Sequence, residues 1–426
     1  MLAVAALQGL LAAHVGLGDD EAMYWSWARE LGGLTVDHPP LVAAMVATGT
    51  ALVGDSPLGV RLPFLLCGVL TSAVLGAWVR RVHGDPSAAV AMVAVAIAPL
   101  FAVGHVFAAP DMPLWLATAC AGLALDHALD GGGLRAWAAA GLAVGVGLWA
   151  KLTMGLLPLG VLGLLLLHRP LRERLRGAGP WLAAGLALAI WSPWLVQQAG
   201  AGWPGLRFHL VERHGTAPGL MGLLGSVAGQ LGYISPVLAG ALVLALCRPD
   251  ERTPRAWGLP MAIAGPPVVV FTLAGAFTRA LPHWGGAGWL AALVPGAALL
   301  AARPRWAGGA LGLAGLLTPA VHVQAGWPVL PLGPADAPHD LPGWPELRAA
   351  LQRGAGGPDG PEPGRRHDRG RDGERAAAPA RGGARPVHAL RRRPQRRGLR
   401  QVPRGPRRAA RRRCASPPRR PAPAGR

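Results

Sequence analysis

The sequence predicts an all-α polytopic membrane protein, and three observations carry that prediction. Of the 426 residues, 51 % are hydrophobic and the mean hydropathy is +0.32. Charged residues make up only 15 %, against roughly 25 % in soluble domains. Apolar runs long enough to cross a bilayer recur along the chain. Four cysteines, Cys67, Cys120, Cys247 and Cys414, form no C-x-x-C pair, so neither a disulfide framework nor a thiolate metal site is expected.

Apolar segments lie near residues 1–17, 57–79, 87–108, 112–127, 136–150, 152–167, 180–198, 229–247, 257–277, 286–302 and 307–325, about eleven crossings. The first lacks the basic n-region of a signal peptide and reads as a retained helix. Glycine and proline inside several of the others are tolerated in membrane helices because neighbours re-satisfy the backbone. The stretch from Pro39 to Gly54, apolar and set after a double proline, reads as a helix along the interface. No repeat of 20–50 residues and no matched pair of interrupted helices is visible, which weighs against a secondary transporter.

Direction follows from arginine. The connections holding Arg80 and Arg81, Arg135, Arg169 to Arg176, Arg248 to Arg255, and Arg303 with Arg305 alternate along the chain, which makes them cytoplasmic by the positive-inside rule. The connections 18–56, 109–111, around 151, 199–228 and 278–285 then face outward. The net charge of +20 belongs to the end of the chain: residues 353–426 hold 23 of the 42 basic residues and 5 of the 22 acids. That tail is Arg, Pro, Gly and Ala-rich and is expected to be disordered. Two readings of it stand, a basic appendage for anionic surfaces or the out-of-frame translation of a GC-rich gene, and the abrupt change of character at 353 favours the second. The chain thus divides into a membrane body, 1–325, a short extracytoplasmic segment, 326–352, and the tail, 353–426. A nucleic-acid partner is not expected on the outer side.

Ionisable residues near membrane depth are expensive and point to function, and here they gather on the outward side. Asp19, Asp20 and Glu21 open a helix, where one acid serves as a cap but three in a row repel. A member held beside an apolar surface can act as a general base. "VDHPPL" places Asp37 and His38 before the double proline. "APDMPL" sets Asp111 in a short turn between two spans, as turn former or as functional acid. Lys151, the only lysine in the chain, is either a snorkelling anchor or an ammonium for a lipid phosphate. Arg61, Arg207, His209, Arg213, Arg279, His283 and Trp284 add polar groups to the same side. Together they predict an outward-facing pocket with acids for proton transfer and cations for phosphate.

"DDEAMYW", "DHPPL", "GVRLP", "APDMPL" and "AKLTM", in this order and at these intervals, resemble bacterial family 39 glycosyltransferases of the glycosyltransferase C superfamily, relatives of protein O-mannosyltransferases and of the lipid A aminoarabinose transferase. The resemblance covers roughly residues 1–350. It implies a polytopic helical fold with interfacial helices in the first outer loop. It also implies a sugar donor on a polyprenyl phosphate, transferred with inversion outside the inner (plasma) membrane to a protein, lipid or glycan acceptor. By matching position it implies Asp20, Glu21 and Asp111 as catalytic acids and Lys151 as a substrate-binding residue; the outer-face reading adds Asp37, His38, Arg61, Arg207 and His283 as substrate-binding residues. His38 stands where the aminoarabinose enzyme has a lysine. No cofactor is otherwise expected, although the acids could hold a divalent cation. The rivals are a transporter or flippase of an amphiphilic substrate, which would need polar groups reachable from both faces, and a catalytically silent subunit, against which an intact Asp20, Asp111 and Lys151 set argues.

Overall fold

A computed structural model describes residues 2–212, 219–248, 254–278, 280–326 and 329. Of the expected extracytoplasmic segment only positions 326 and 329 fall among these, and the 353–426 tail lies outside the described residues, as do Arg213 and Arg279. All regular structure among the described residues is helical: α1 (Leu2–His14), α2 (Asp19–Ala28), α3 (Leu41–Val53), α4 (Pro57–His83), α5 (Asp85–Ile97), α6 (Pro99–Gly104), α7 (Asp111–Leu129), α8 (Gly133–Ala150), α9 (Leu156–Leu167), α10 (Arg169–Arg172), α11 (Ala178–Gly200), α12 (Pro204–Arg207), α13 (Leu220–Ile234), α14 (Pro236–Leu246), α15 (Leu259–Ala274), α16 (Gly286–Ala301) and α17 (Pro304–Gly326).

Each apolar segment read from the sequence coincides with a helix or a helix pair. Seven helices are long and apolar enough to span a membrane, and two bent pairs raise the number to nine. The bent pairs turn by 110° after Leu167 and by 103° between α13 and α14. At the second bend Ser235 adopts φ 82, a conformation unusual for a non-glycine residue. The connection expected to carry interfacial helices holds α2 and α3.

Local chemistry sets the helix limits. Ser56 caps α4, its Oγ accepting the Gly59 N–H at 3.1 Å, with Pro57 at the first helical position. Gly84, at φ 83, ends the helix, where a side chain would be strained. The 27 residues between make a rod of about 40 Å. It packs between α5 and α7, burying Phe64, Leu75, Trp78 and Val79. Helix α16 is buried around most of its circumference, as an all-apolar helix should be. Helices α8 and α11 approach until a Cβ on Gly141 would lie 2.4 Å from the Ala183 carbonyl oxygen, the small-residue packing that membrane helices favour.

Charge closes the end of α4 far from Arg61. Asp126 and Asp130, one turn apart on α7, are gripped by Arg81 from α4 and Arg255 from the turn before α15. Arg81 Nε donates to Asp126 Oδ2 at 2.6 Å and its Nη2 to Asp130 Oδ2 at 2.5 Å. Arg255 Nε and Nη2 donate to Asp126 at 2.9 and 3.0 Å, and Nη1 donates to Asp130. Asp126 is buried and Asp130 is exposed. Asp126 accepts from both arginines, which stay partly solvated and paired with Asp130 without it, so Asp126→Ala is expected to cost about 1.5–3 kcal/mol, the scale of a charged hydrogen bond. Asp130→Ala should cost less than about 1 kcal/mol. Denaturant unfolding in detergent checks both, and equal losses would contradict the asymmetry.

Candidate active site

The site is built around a guanidinium with no donor to spare. Arg61, in the first turns of α4, is 0 % exposed. Its Nε donates to Glu21 Oε1 at 2.8 Å and Nη2 to Glu21 Oε2 at 2.5 Å. Nη1 donates to the carbonyls of Ala12 and Val15, and Nη2 to that of Gly16. All five N–H groups are thereby used. The Ala12 carbonyl belongs to the last turn of α1 and those of Val15 and Gly16 follow directly after it, a place that favours a cation.

Glu21 is engaged on its remaining sides. Its Oε2 accepts the Gly18 N–H at 2.9 Å, tying the third helical residue of α2 back to the N-cap. Its Oε1 accepts the Ala108 N–H at 2.8 Å, three residues before Asp111. This ion pair joins α1, α2, α4 and the turn that starts α7. Asp19 and Asp20, in the same helical turn, are exposed, so the three acids divide into one buried anchor and two that face outward.

A second buried pair lies across the turn. Lys151 ends α8 with extended backbone (φ −157, ψ 135), and its Nζ donates to both Asp111 oxygens at 2.9 Å. The two residues are 7 % and 3 % exposed. His283, in the turn before α16, brings Nε2 to 3.9 Å from Asp111 Oδ2. His38 faces this pair from the α2–α3 loop. Burial, reinforced by the Lys151 ammonium, pushes His38 down to about 3, so its imidazole is neutral. Rings continue the wall: Tyr24 lies 6.1 Å from His38, and His38 lies 6.3 Å from His209.

The structure therefore gathers Asp37, His38, Asp111, Lys151 and His283, and joins Glu21 with Arg61. It does not bring in Arg207, which is exposed and pairs with Glu212 at 3.0 Å. Arg61, expected to bind substrate, is instead spent on Glu21 and the end of α1. One carboxylate and two imidazoles, from Asp37, His38 and His209, place their ligand atoms within 4.8 Å of one another. That donor set suits a divalent cation such as zinc, and the neutral His38 is in the form that ligates. Sequence reasoning passed over Tyr24, whose signal was its spacing of one helical turn from Asp20, and the adjacent amides Gln197 and Gln198.

Residues 37–196 match the family model described as dolichyl-phosphate-mannose-protein mannosyltransferase. No curated protein matches this sequence. Among solved structures, ArnT from Cupriavidus metallidurans bound to undecaprenyl phosphate is similar at 22 % identity and a TM-score of 0.57, over 77 % of this chain and 65 % of that one. The apo form of the same protein gives 22 % and 0.54, over 79 % of this chain and 66 % of that one. The chain thus spans just under two thirds of the length of these structures, and at this identity the likeness is one of fold. Family model and fold bear out the resemblance to the glycosyltransferase C superfamily that the sequence carries.

The ion pair at the base of the site makes a measurable commitment. Arg61→Ala and Glu21→Ala are each expected to lose about 3–5 kcal/mol of stability. The double variant should lose less than the sum by about 0.5–3 kcal/mol. Unfolding of all four proteins in detergent measures the coupling, and strict additivity would mean that the two side chains do not act as a unit.

Proposed function

We propose that the chain is an integral-membrane glycosyltransferase that moves a sugar from a polyprenyl-phosphate donor to an acceptor hydroxyl, with inversion at the anomeric carbon. The observation that carries this reading is the buried Lys151–Asp111 pair, with His38 and His283 beside it, at the end of the helix bundle where α2 presents its acidic first turn. An ammonium, an imidazole and a carboxylate held at such a depth suit a phosphate headgroup at the membrane surface. The match of residues 37–196 to mannosyltransferases supports the same reaction class. The undecaprenyl phosphate bound by the similar ArnT structure supports the donor class.

The chemistry runs as a single displacement. The acceptor oxygen attacks the anomeric carbon on the face opposite the phosphate, and the new C–O bond forms as the sugar–phosphate C–O bond breaks. The bonding pair leaves with the polyprenyl phosphate, and the hydroxyl proton passes to a general base, Asp20. Glu21 then serves as the anchor that sets the angle of the α2 turn instead of touching substrate. Lys151 spends two N–H groups on Asp111 and offers the third to a phosphate oxygen, where charge grows in the transition state. His38, neutral, contributes a hydrogen bond where the aminoarabinose enzyme has a charged lysine. Between α9 and α15 an apolar groove of about 420 Å³, lined by Gly160, Leu164, Trp257, Met261 and Pro266, extends toward the Arg255 end of the bundle, the direction in which the hydrocarbon chain of a donor held at Lys151 runs.

The arginine-rich connections support placing this pocket on the extracytoplasmic side of the inner (plasma) membrane. The Arg81–Asp126–Arg255 cluster locks the opposite end of the bundle, an arrangement that a transporter cycling between two faces would have to break. The test uses the full chain in liposomes with a panel of labelled polyprenyl-phosphate sugars. Sugar release to water or to added acceptors is expected from the wild type, and a fall of at least about a hundredfold from Asp20→Asn, the scale of losing a general base. Equal rates from both proteins would remove Asp20 from that role. No release from any donor would sink the enzyme reading.

A further inference from the structure

Gln198 sits in the last turn of α11 and is 0 % exposed. It is one of four buried residues in that 23-residue helix, with Gly179, Ala187 and Trp194. A buried amide is costly unless both its ends are bonded. Both are: Oε1 accepts the Gly205 N–H at 2.8 Å, and Nε2 donates to the Thr35 carbonyl at 3.4 Å. The backbone carbonyl of Gln198 also closes the turn that follows, accepting the Trp203 N–H at 2.7 Å. Trp203 takes the left-handed conformation there, φ 62 and ψ 41, one that a bulky residue keeps only when its surroundings enforce it. Gly205 allows the approach, because a Cβ on it would lie 3.0 Å from Gln198 Oε1 and 3.3 Å from the Val36 carbonyl oxygen.

Two neighbours repeat the gesture. Gln197 Nε2 donates to the Gly32 carbonyl at 3.1 Å, and His209 Nε2 lies 2.6 Å from the Asp37 carbonyl oxygen. Three side chains from residues 197–209 thus grip three carbonyls between 32 and 37. The gripped loop contains two consecutive glycines, Gly32 and Gly33, and ends in Asp37 and in His38, which faces the Lys151–Asp111 pair.

We propose that Gln198 is a positioning residue: through its amide it ties the α11–α12 turn to the α2–α3 loop and so fixes where Asp37 and His38 stand in the site. The side-chain amide of Gln198 bonds to Thr35 and Gly205 and acts through the loop. The structural part of this inference stands alone, and its consequence for turnover rests on the glycosyltransferase reading.

The test compares the full chain with Gln198→Ala, Gln198→Asn and Gln197→Ala in nanodiscs. Asn keeps the amide but is one methylene too short to reach both partners, and it covers the case in which the alanine variant fails to fold. Amide hydrogen exchange over residues 30–38 is expected to speed up by about tenfold, the scale of one net hydrogen bond, with α4 and α7 unchanged. Gln197→Ala should produce a smaller increase at the same residues. In the sugar-release assay the donor KM is expected to rise by about tenfold with kcat within about twofold, the pattern of lost ground-state positioning. Unchanged exchange at 30–38 in both Gln198 variants would overturn the proposal, as would a fall in kcat at constant KM. If the wild type releases no sugar, the function proposed above fails while the exchange measurement still decides the role of Gln198.

Discussion

Everything at this end of the molecule depends on the saturation of one guanidinium. Arg61 is buried with all five N–H groups bonded, and an arginine at such depth is tolerable only because none of its donors is left over. Its partners come from two pieces of chain, and Glu21 ties in a third. Carbonyls at and just beyond the end of α1, the first turn of α2 and, through Glu21, the Ala108 amide all meet at α4. No apolar contact could fix their relative rotation so tightly, because dispersion contacts are non-directional whereas an arginine fork has a fixed geometry. With Glu21 immobilised, Asp20, its neighbour in the same turn, has its direction set by the helix. In the proposed reaction the direction of the base therefore rests on the Arg61–Glu21 pair.

The two ends of the bundle use charge in opposite ways. At the far end, Asp126 and Asp130 meet two arginines in a ring of forked contacts, with acid and base in equal number. Each carboxylate there accepts from both arginines. Near the site the pairs are unequal in their bonding. Arg61 and Glu21 are closed, but Lys151 keeps one N–H beyond the two that Asp111 takes, and two histidines stand beside the pair. The far cluster balances two acids against two bases, whereas near α8 one carboxylate is faced by an ammonium and two imidazoles.

Much of this was legible in the sequence, for identifiable reasons. Apolar runs report helices faithfully because a membrane segment must bond its backbone internally, so all eleven segments reappear as helices or helix pairs, but among the described residues seven to nine, not eleven, are long and apolar enough to cross a membrane. Asp111 and Lys151 stood out because charge is rare in such runs, and they do meet. What stayed hidden was pairing. Glu21 and Arg61 are 40 residues apart, and Arg81 and Asp126 are 45 apart; no local pattern says which acid takes which base. Arg207 carried the same charge signal as Arg61 and lies on the surface with Glu212. Gln198 gave almost no signal, since an uncharged amide at the end of an apolar helix looks like any interfacial residue until its partners are known.

The position of Lys151 shows why a membrane site of this kind is built at a helix break. Were α8 to continue through residue 151, the backbone would satisfy itself and the side chain would point wherever helical geometry dictated. Instead Lys151 is extended, which redirects the side chain onto Asp111. The usual cost of interrupting a helix in an apolar setting is a set of orphaned backbone groups. Here they are recovered: the Lys151 N–H still donates to the Gly147 carbonyl at 2.9 Å, and its own carbonyl accepts the Met154 N–H at 3.0 Å, opening a short 3-10 turn, Leu152–Gly155, before α9 resumes. One residue of extended chain is the least distortion that frees a side chain from the helical screw while keeping both neighbouring turns bonded. A lysine is the residue that profits, because its single ammonium can swing onto one carboxylate and keep a donor in reserve. An arginine fork at the same place would be consumed by Asp111 edge to edge, as Arg61 is by Glu21.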